Sequence, residues 1–119
     1  MVDHCVFCSY TIKEVMEQFE SNHERVAIVL SDTNKVCGVL SQGDIIRALV
    51  SDISVYSNIS VILKPSFLYF HSKDMEQAYR LFRSKKITLL PIVNEKFELL
   101  DVVTLEDIFE YLEAGKNGF

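Results

Sequence analysis

"RVAIVLSDTNKVCGVLSQGDIIRALV" (residues 25–50) changes its apolar period halfway, and that change decides the fold. The runs "VAIVL" (26–30) and "VCGVL" (36–40) are short, continuous and rich in β-branched residues, and "SDTNK" between them is turn chemistry. They read as two buried strands around a turn. From Ser41 onward the apolar positions take helical spacing, so "GDIIRALV" opens a helix. Towards the N-terminus, Ile12, Val15, Met16 and Phe19 form an i, i+3, i+4, i+7 stripe. Thr11 precedes that stripe and Glu14 follows three residues later, the pattern of a capping box. The order is helix, strand, strand, helix.

The same order returns downstream. Met75, Ala78, Tyr79 and Phe82 make a second helical stripe, "LLPIV" and "LLDVV" read as strands, and "LEDIFEYL" closes as a helix. A shift of 63 residues, the spacing of Asp44 and Asp107, aligns the two halves without a gap. Ser9, Phe19, Ser21, Val39, Asp44, Ile45 and Leu49 then fall on Ser72, Phe82, Ser84, Val102, Asp107, Ile108 and Leu112, and Ser41 meets Thr104. This is an internal duplication of an α-β-β-α unit. Units of about 40 residues bury a core poorly alone, so an α+β fold is predicted in which the duplicated units pack sheet to sheet with pseudo-twofold symmetry. The predicted organisation is an N-terminal lead-in (1–8), a first repeat (9–50), a connector (51–70), a second repeat (71–113) and a C-terminal tail (114–119). The connector is too apolar for a free linker and is expected to hold a short helix and a strand. The tail stops soon after the last helix, as a piece cut from a larger enzyme would.

Composition narrows the function. Of 119 residues 49% are hydrophobic, enough for an interior, and the net charge of −5 argues against a nucleic-acid partner, which would need a basic stripe. The one basic cluster, Arg80, Arg83, Lys85 and Lys86, reads as a solvated helix face. No apolar run approaches the roughly 20 residues of a membrane span, and the N-terminus lacks the charged-then-apolar pattern of a signal peptide. No membrane contact and a cytoplasmic location are therefore expected. "HCVFC" (4–8) offers a Cys-x-x-Cys pair beside His4, but no second pair follows and a structural zinc takes four ligands. No metal is expected, and Cys5 and Cys8 are expected to be dispensable. His23 and His71 lack a nucleophile or paired carboxylate at motif spacing. No Gly-rich phosphate loop, Gly-x-Ser-x-Gly or His-Glu-x-x-His stretch exists. No catalytic residue is assigned and no enzyme activity expected.

The ordered, duplicated pieces "RVAIVLSDTNKVCGVLSQGD" and "ITLLPIVNEKFELLDVVTLED" resemble the tandem cystathionine-β-synthase (CBS) domain pair, or Bateman module, over about residues 9–113. "GVLSQGDIIRAL" is similar to the corresponding stretch in the pairs attached to bacterial sugar-phosphate nucleotidylyltransferases and arabinose-5-phosphate isomerases. This chain departs from the family pattern at Ile28, where proline is usual and Pro91 keeps it. It departs again at Asp101 opposite Gly38, and at Phe97 in place of a turn glycine.

Two readings compete for Ser/Thr-x-x-Asp. Ser41 and Thr104 are good N-caps, and Asp in a first helical turn complements the dipole. The reciprocal box, however, favours Glu or Gln at the third position. The shorter Asp44 and Asp107 are therefore expected to face outward, where a carboxylate can accept hydrogen bonds from vicinal ribose hydroxyls. The resemblance implies the same: Asp on the ribose, Ser/Thr on phosphate and the base between strands. The nucleotide-site candidates are Ser41, Gln42, Gly43, Asp44, Arg47 and Ile28 in the first half, with Thr104, Asp107 and Pro91 in the second. The halves are expected to be unequal, because Gly43 and Arg47 are matched by Glu106 and Glu110. The expected function is a regulatory module that binds AMP, ADP, ATP or another nucleotide, forms a homodimer through its helices and modulates an attached or partner enzyme, such as a fused nucleotidylyltransferase or isomerase. The alternative is a ligand-free dimerisation domain.

Overall fold

The computed structural model describes residues 4–64 and 66–117 and divides into two units, Met1–Phe67 and Leu68–Phe119. In the first, β1 (Cys5–Phe7), α1 (Ile12–Asn22), β2 (Val26–Leu30), β3 (Val36–Ser41) and α2 (Gln42–Val50) follow one another. The second contains α3 (Met75–Lys85), β4 (Leu89–Val93), β5 (Leu99–Thr104) and α4 (Leu105–Asn117). Both are mixed α+β.

The 63-residue shift holds at the level of single backbone positions. It carries the bounds of α1, β2 and β3 onto those of α3, β4 and β5. The antiparallel register follows, Val26 opposite Ser41 becoming Leu89 opposite Thr104. So does the irregularity that interrupts the ladder at Val29/Leu30 and again at Ile92/Val93. Both first helices end on a left-handed residue, His23 and Lys86, each at φ 55°. Both hairpins turn through another, Asn34 at φ 65° and Phe97 at φ 63°. Asn tolerates that region, whereas for Phe it costs roughly 1–2 kcal/mol. An edge-to-face contact with Tyr69, ring centroids 5.0 Å apart, offsets part of that cost.

The cores repeat as well. In the second unit Ala78, Phe82, Leu90, Ile92, Val103 and Ile108 form one buried cluster. Each has its equivalent in the first, as Val15, Phe19, Ala27, Val29, Leu40 and Ile45. Val15 becomes Ala78 while Ala27 becomes Leu90, so volume lost from the helix is returned by the strand, the kind of exchange a packed core tolerates. Met16, read as part of the buried stripe, is 40% exposed. Three residues on the helical period, Ile12, Val15 and Phe19, suffice to bury the α1 face.

Two readings of the sequence need correction. The lead-in contains β1, which pairs in parallel with β2, Val6 opposite Val29. Val6 is 1% exposed and belongs to the core of the first unit, and Cys5 is 8% exposed. Contrary to the expectation that Cys5 is dispensable, Cys5→Ser should lower stability, since it would bury a hydroxyl. Nor does the connector hold a regular strand among its described residues. It forms a single 3-10 turn, Ile59–Val61, and only isolated bridges, Asn58 with Thr11 and Phe70 with Ile92. Ile59 is wholly buried in the first core, which ties this segment to the unit before it.

Because β1 completes the first core, Val6→Ala should lower the unfolding free energy by about 1–3 kcal/mol. Phe7→Ala, at a side chain 43% exposed on the same strand, should cost less than half as much. Urea denaturation showing equal losses would mean that β1 is not part of the cooperative unit.

Candidate functional site

Strand β3 passes into α2 without an intervening loop, and so does β5 into α4. A helix that starts there needs a cap on the spot. Ser41 supplies it: its Oγ accepts from the Asp44 amide at 3.1 Å, while the Ser41 amide donates to Asp44 Oδ2 at 2.9 Å. In the second unit the Asp107 amide donates to Thr104 Oγ1 at 3.1 Å and the Thr104 amide to Asp107 Oδ2 at 2.8 Å. Both sites are reciprocal capping boxes. The expectation that an aspartate is too short to reach back is thus wrong. The extended backbone of the cap (Ser41 φ −105°, ψ 160°) brings its amide towards the carboxylate.

Each box occupies one carboxylate oxygen and leaves the other to differ between units. Asp44 Oδ1 accepts from the Arg47 guanidinium at 2.6 Å and faces Lys64 Nζ at 3.7 Å. Burial alone would raise the pKa of Asp44. The Ser41 amide and hydroxyl, the Arg47 guanidinium and the Lys64 charge outweigh it and hold the carboxyl below its ordinary value. Among the described residues no cation pairs with Asp107. Where the first unit has Gly43 and Arg47, the second has Glu106 and Glu110, both exposed.

Local sequence explains the convergence. A Cβ at Gly43 would lie 3.3 Å from Arg47 Nη1 and 3.7 Å from Ser41 Oγ, so the missing side chain leaves room for the guanidinium to fold back over the helix start. Lys64 was not a sequence candidate. It arrives because Gly38 lets the connector lie against β3, where a Cβ would meet Leu63 Cδ2 at 3.3 Å. The one sequence signal for it was that Gly38 has Asp101 as its equivalent. That aspartate is exposed and pairs with Lys73 at 3.3 Å instead.

Ser41, Gly43, Asp44 and Arg47 thus come together at one helix start, and Thr104 and Asp107 at the other. Ile28 and Pro91 occupy equivalent places in β2 and β4, opposite Val39 and Val102, and both are buried. Gln42 lines a separate groove of about 530 Å³ between α1 and α2, together with Met16 and Ile46. Burial and the neighbouring Cys8 push the Cys37 thiol upward. No helix among the described residues is long and apolar enough to cross a membrane.

The family described as CBS domain matches residues 1–51 and 61–114. The magnesium transporter MgtE of Thermus thermophilus is 31% identical over 87 residues, covering 72% of this chain and 18% of the transporter. The magnesium and cobalt efflux protein CorC of Buchnera aphidicola is 29% identical over 93 residues, 78% of this chain and 32% of that protein. The chain thus spans under a third of the length of these curated relatives. A similar fold occurs in the crystal structure of CBSX2 in complex with AMP, at TM-score 0.79 and 22% identity over 95% of this chain and 89% of that one. It recurs in a CBS domain protein of Pyrobaculum aerophilum complexed with AMP, at TM-score 0.71 and 20% identity, covering 92% and 90%.

The lowered pKa makes the first box pH-sensitive in a defined direction. A carboxyl held below its ordinary value of about 3.9 contributes fully above that pH and loses its contribution as pH falls through the depressed folded value. At pH 7 Asp44→Ala should cost about 0.5–2 kcal/mol of unfolding free energy. The gap between wild type and variant should narrow as pH falls from about 4 through the depressed folded value. A gap that stays constant over that range in urea titrations would show that the carboxylate charge does not strengthen the cap.

Proposed function

The chain belongs to the CBS domain family, and from that premise we propose that it is a non-catalytic regulatory module that binds an adenine nucleotide at the unit carrying Ser41 and Asp44. The observation that carries this reading is the convergence of Arg47 and Lys64 on Asp44 at the start of α2. Two cations beside a helix N-terminus suit phosphate oxygens, and the carboxylate suits ribose hydroxyls. Arg47 is 68% exposed and can exchange Asp44 for a phosphate, which frees Oδ1 for the ribose. The second unit places Glu106 and Glu110 where those cations would be needed. Two unit charges about 4 Å apart at an effective dielectric near 20 interact by up to ~4 kcal/mol before screening, so the first unit is the nucleotide site and the second the weaker one. The AMP held by relatives of the same fold supports an adenine nucleotide as the ligand class.

The module passes occupancy on through its helices, which also meet a second copy of the chain. Exposed Ile46 (55%) and Phe109 (57%), at equivalent positions of α2 and α4, favour such a pairing and also support the narrower reading of an assembly domain. The regulated partner is an attached or separate protein. A divalent-cation transport protein, as in the relatives named above, fits that role alongside the sugar-nucleotide enzymes.

Both variants lose a capping box of matching geometry, and Asp44→Ala, which also loses the Arg47 and Lys64 pairing, should lose somewhat more stability than Asp107→Ala. They should differ in binding. AMP at about 100 times its dissociation constant should stabilise the wild type by about 2.7 kcal/mol. Asp107→Ala should retain most of that shift and Asp44→Ala should lose it. Thermal shifts that respond to none of AMP, ADP, ATP and S-adenosylmethionine would leave the assembly reading in place. A larger loss from Asp107→Ala would move the site to the second unit.

A further inference from the structure

The Cys-x-x-Cys spacing of Cys5 and Cys8 is not the pairing that the fold makes. Side chains alternate along β1, so Val6 enters the buried cluster of the first unit and Cys5 lies on the other face of the sheet. Cys8 follows the strand, where its amide donates to the Leu30 carbonyl at 2.9 Å. On the other side of β2, Leu30 lies opposite Val36 and Val29 opposite Gly38. Cys37 is left as the extra residue of that ladder, with none opposite it. Cys8 and Cys37 thus flank the same end of β2, are both half-buried and pack against one buried cluster. Their thiols are hydrogen-bonded to each other, and the Cys37 thiol also donates to the Lys35 carbonyl at 3.6 Å.

We propose that Cys8 and Cys37 are a peroxide-oxidisable dithiol whose disulfide weakens the nucleotide site. Burial and the neighbouring Cys8 push the Cys37 thiol upward and keep it protonated near neutral pH. That suits a resolving cysteine and leaves Cys8 as the sulfur that peroxide attacks. In the first step the Cys8 sulfur takes one oxygen from hydrogen peroxide, giving a sulfenic acid and one water. In the second the Cys37 sulfur attacks the sulfenic sulfur, the S–O bond breaks, and the hydroxyl leaves as water with the Cys37 proton. The two thiols lose two electrons and the peroxide gains them. A disulfide fixes its sulfurs about 2.05 Å apart, so closing the bond draws the irregular turn of the β3 ladder towards β1. Gly38 is the next residue, and a Cβ there would meet Leu63 Cδ2 at 3.3 Å and the Lys64 carbonyl at 3.7 Å. Movement at Cys37 therefore reaches the backbone that sets Lys64 Nζ 3.7 Å from Asp44. The coupling rests on the nucleotide reading above, whereas the disulfide does not.

Treating the whole reduced chain with hydrogen peroxide, after removal of reductant, tests both. Peptide mapping without reductant should find Cys8 joined to Cys37, the chain lighter by two hydrogens, and Cys5 still open to alkylation after unfolding. By calorimetry the oxidised chain should bind AMP at least about fivefold more weakly, and dithiothreitol should restore the affinity. Cys8→Ala and Cys37→Ala should each bind AMP like the reduced wild type, before and after peroxide. Circular dichroism shows that each variant folds, and either one suffices as the control. Thiols that stay free, a bridge between Cys5 and Cys8, a bridge between two copies, or cysteines that end only as sulfinic acids would overturn the dithiol. A Cys8–Cys37 bridge with unchanged AMP affinity would overturn the coupling. AMP bound by neither form would remove the coupling together with the nucleotide reading, while the mass of the bridged peptides still decides the disulfide.

Discussion

The reciprocal hydrogen bonds between Ser41 and Asp44 hold the corner on which the first unit is built. Strand β3 ends at Ser41 and α2 begins at Gln42, so no loop absorbs error between the sheet and the helix that covers it. One serine hydroxyl and one carboxylate oxygen satisfy two backbone amides and set the direction in which α2 leaves. That direction brings Ile45 into the cluster with Val15, Phe19 and Leu40. Thr104 and Asp107 do the same for Ile108 in the second unit. A carboxylate has more than one lone pair, so the corner can be closed with Oδ2 while Oδ1 of Asp44 still faces outward to Arg47 and Lys64. In the proposed nucleotide site, structure and recognition would share the residue without competing for the same atom.

The duplication was legible in the sequence because its signal is carried by backbone periods. Continuous apolar runs that give way to helical spacing at Ser41 and again at Thr104 need no knowledge of contacts. Strand β1 was not legible. Three residues are too few to show alternation, and the parallel partner that makes them a strand lies about twenty residues away in β2. The cap itself was misjudged from side-chain length alone, since whether Asp reaches back depends on the extended φ and ψ of the residue before the helix. Lys64 was hard to read for a related reason: its place follows from a close approach to Gly38, and the one trace of that in the sequence is that Gly38 has Asp101 as its equivalent.

What the two units share is backbone geometry, down to the irregular ladder and the left-handed residues at 34 and 97. Asn34 is a ready occupant of that conformation, whereas Phe97 is a strained one. The Phe97 ring meets Tyr69 and His71 edge to face, so the second hairpin trades backbone comfort for an aromatic cluster that the first does not have. The two halves therefore share a backbone and present different surfaces. At the helix starts the same divergence takes the form of charge, cations in the first unit and carboxylates in the second.

The position of Arg47 gives the proposed site a short route to the surface that would meet a second copy. Ile46 and Arg47 are consecutive residues of a nine-residue helix, Ile46 on the groove between α1 and α2 and Arg47 against Asp44. A phosphate that draws Arg47 away from Asp44 changes the electrostatics at the start of that helix, one residue from an apolar side chain 55% exposed. A ligand shifts an equilibrium only by its differential affinity for two states, and here both states differ in the partner of one guanidinium. In the second unit the equivalent consecutive pair is Phe109 and Glu110, where a phosphate would find no cation to recruit. Only one of the two surfaces would then respond to nucleotide.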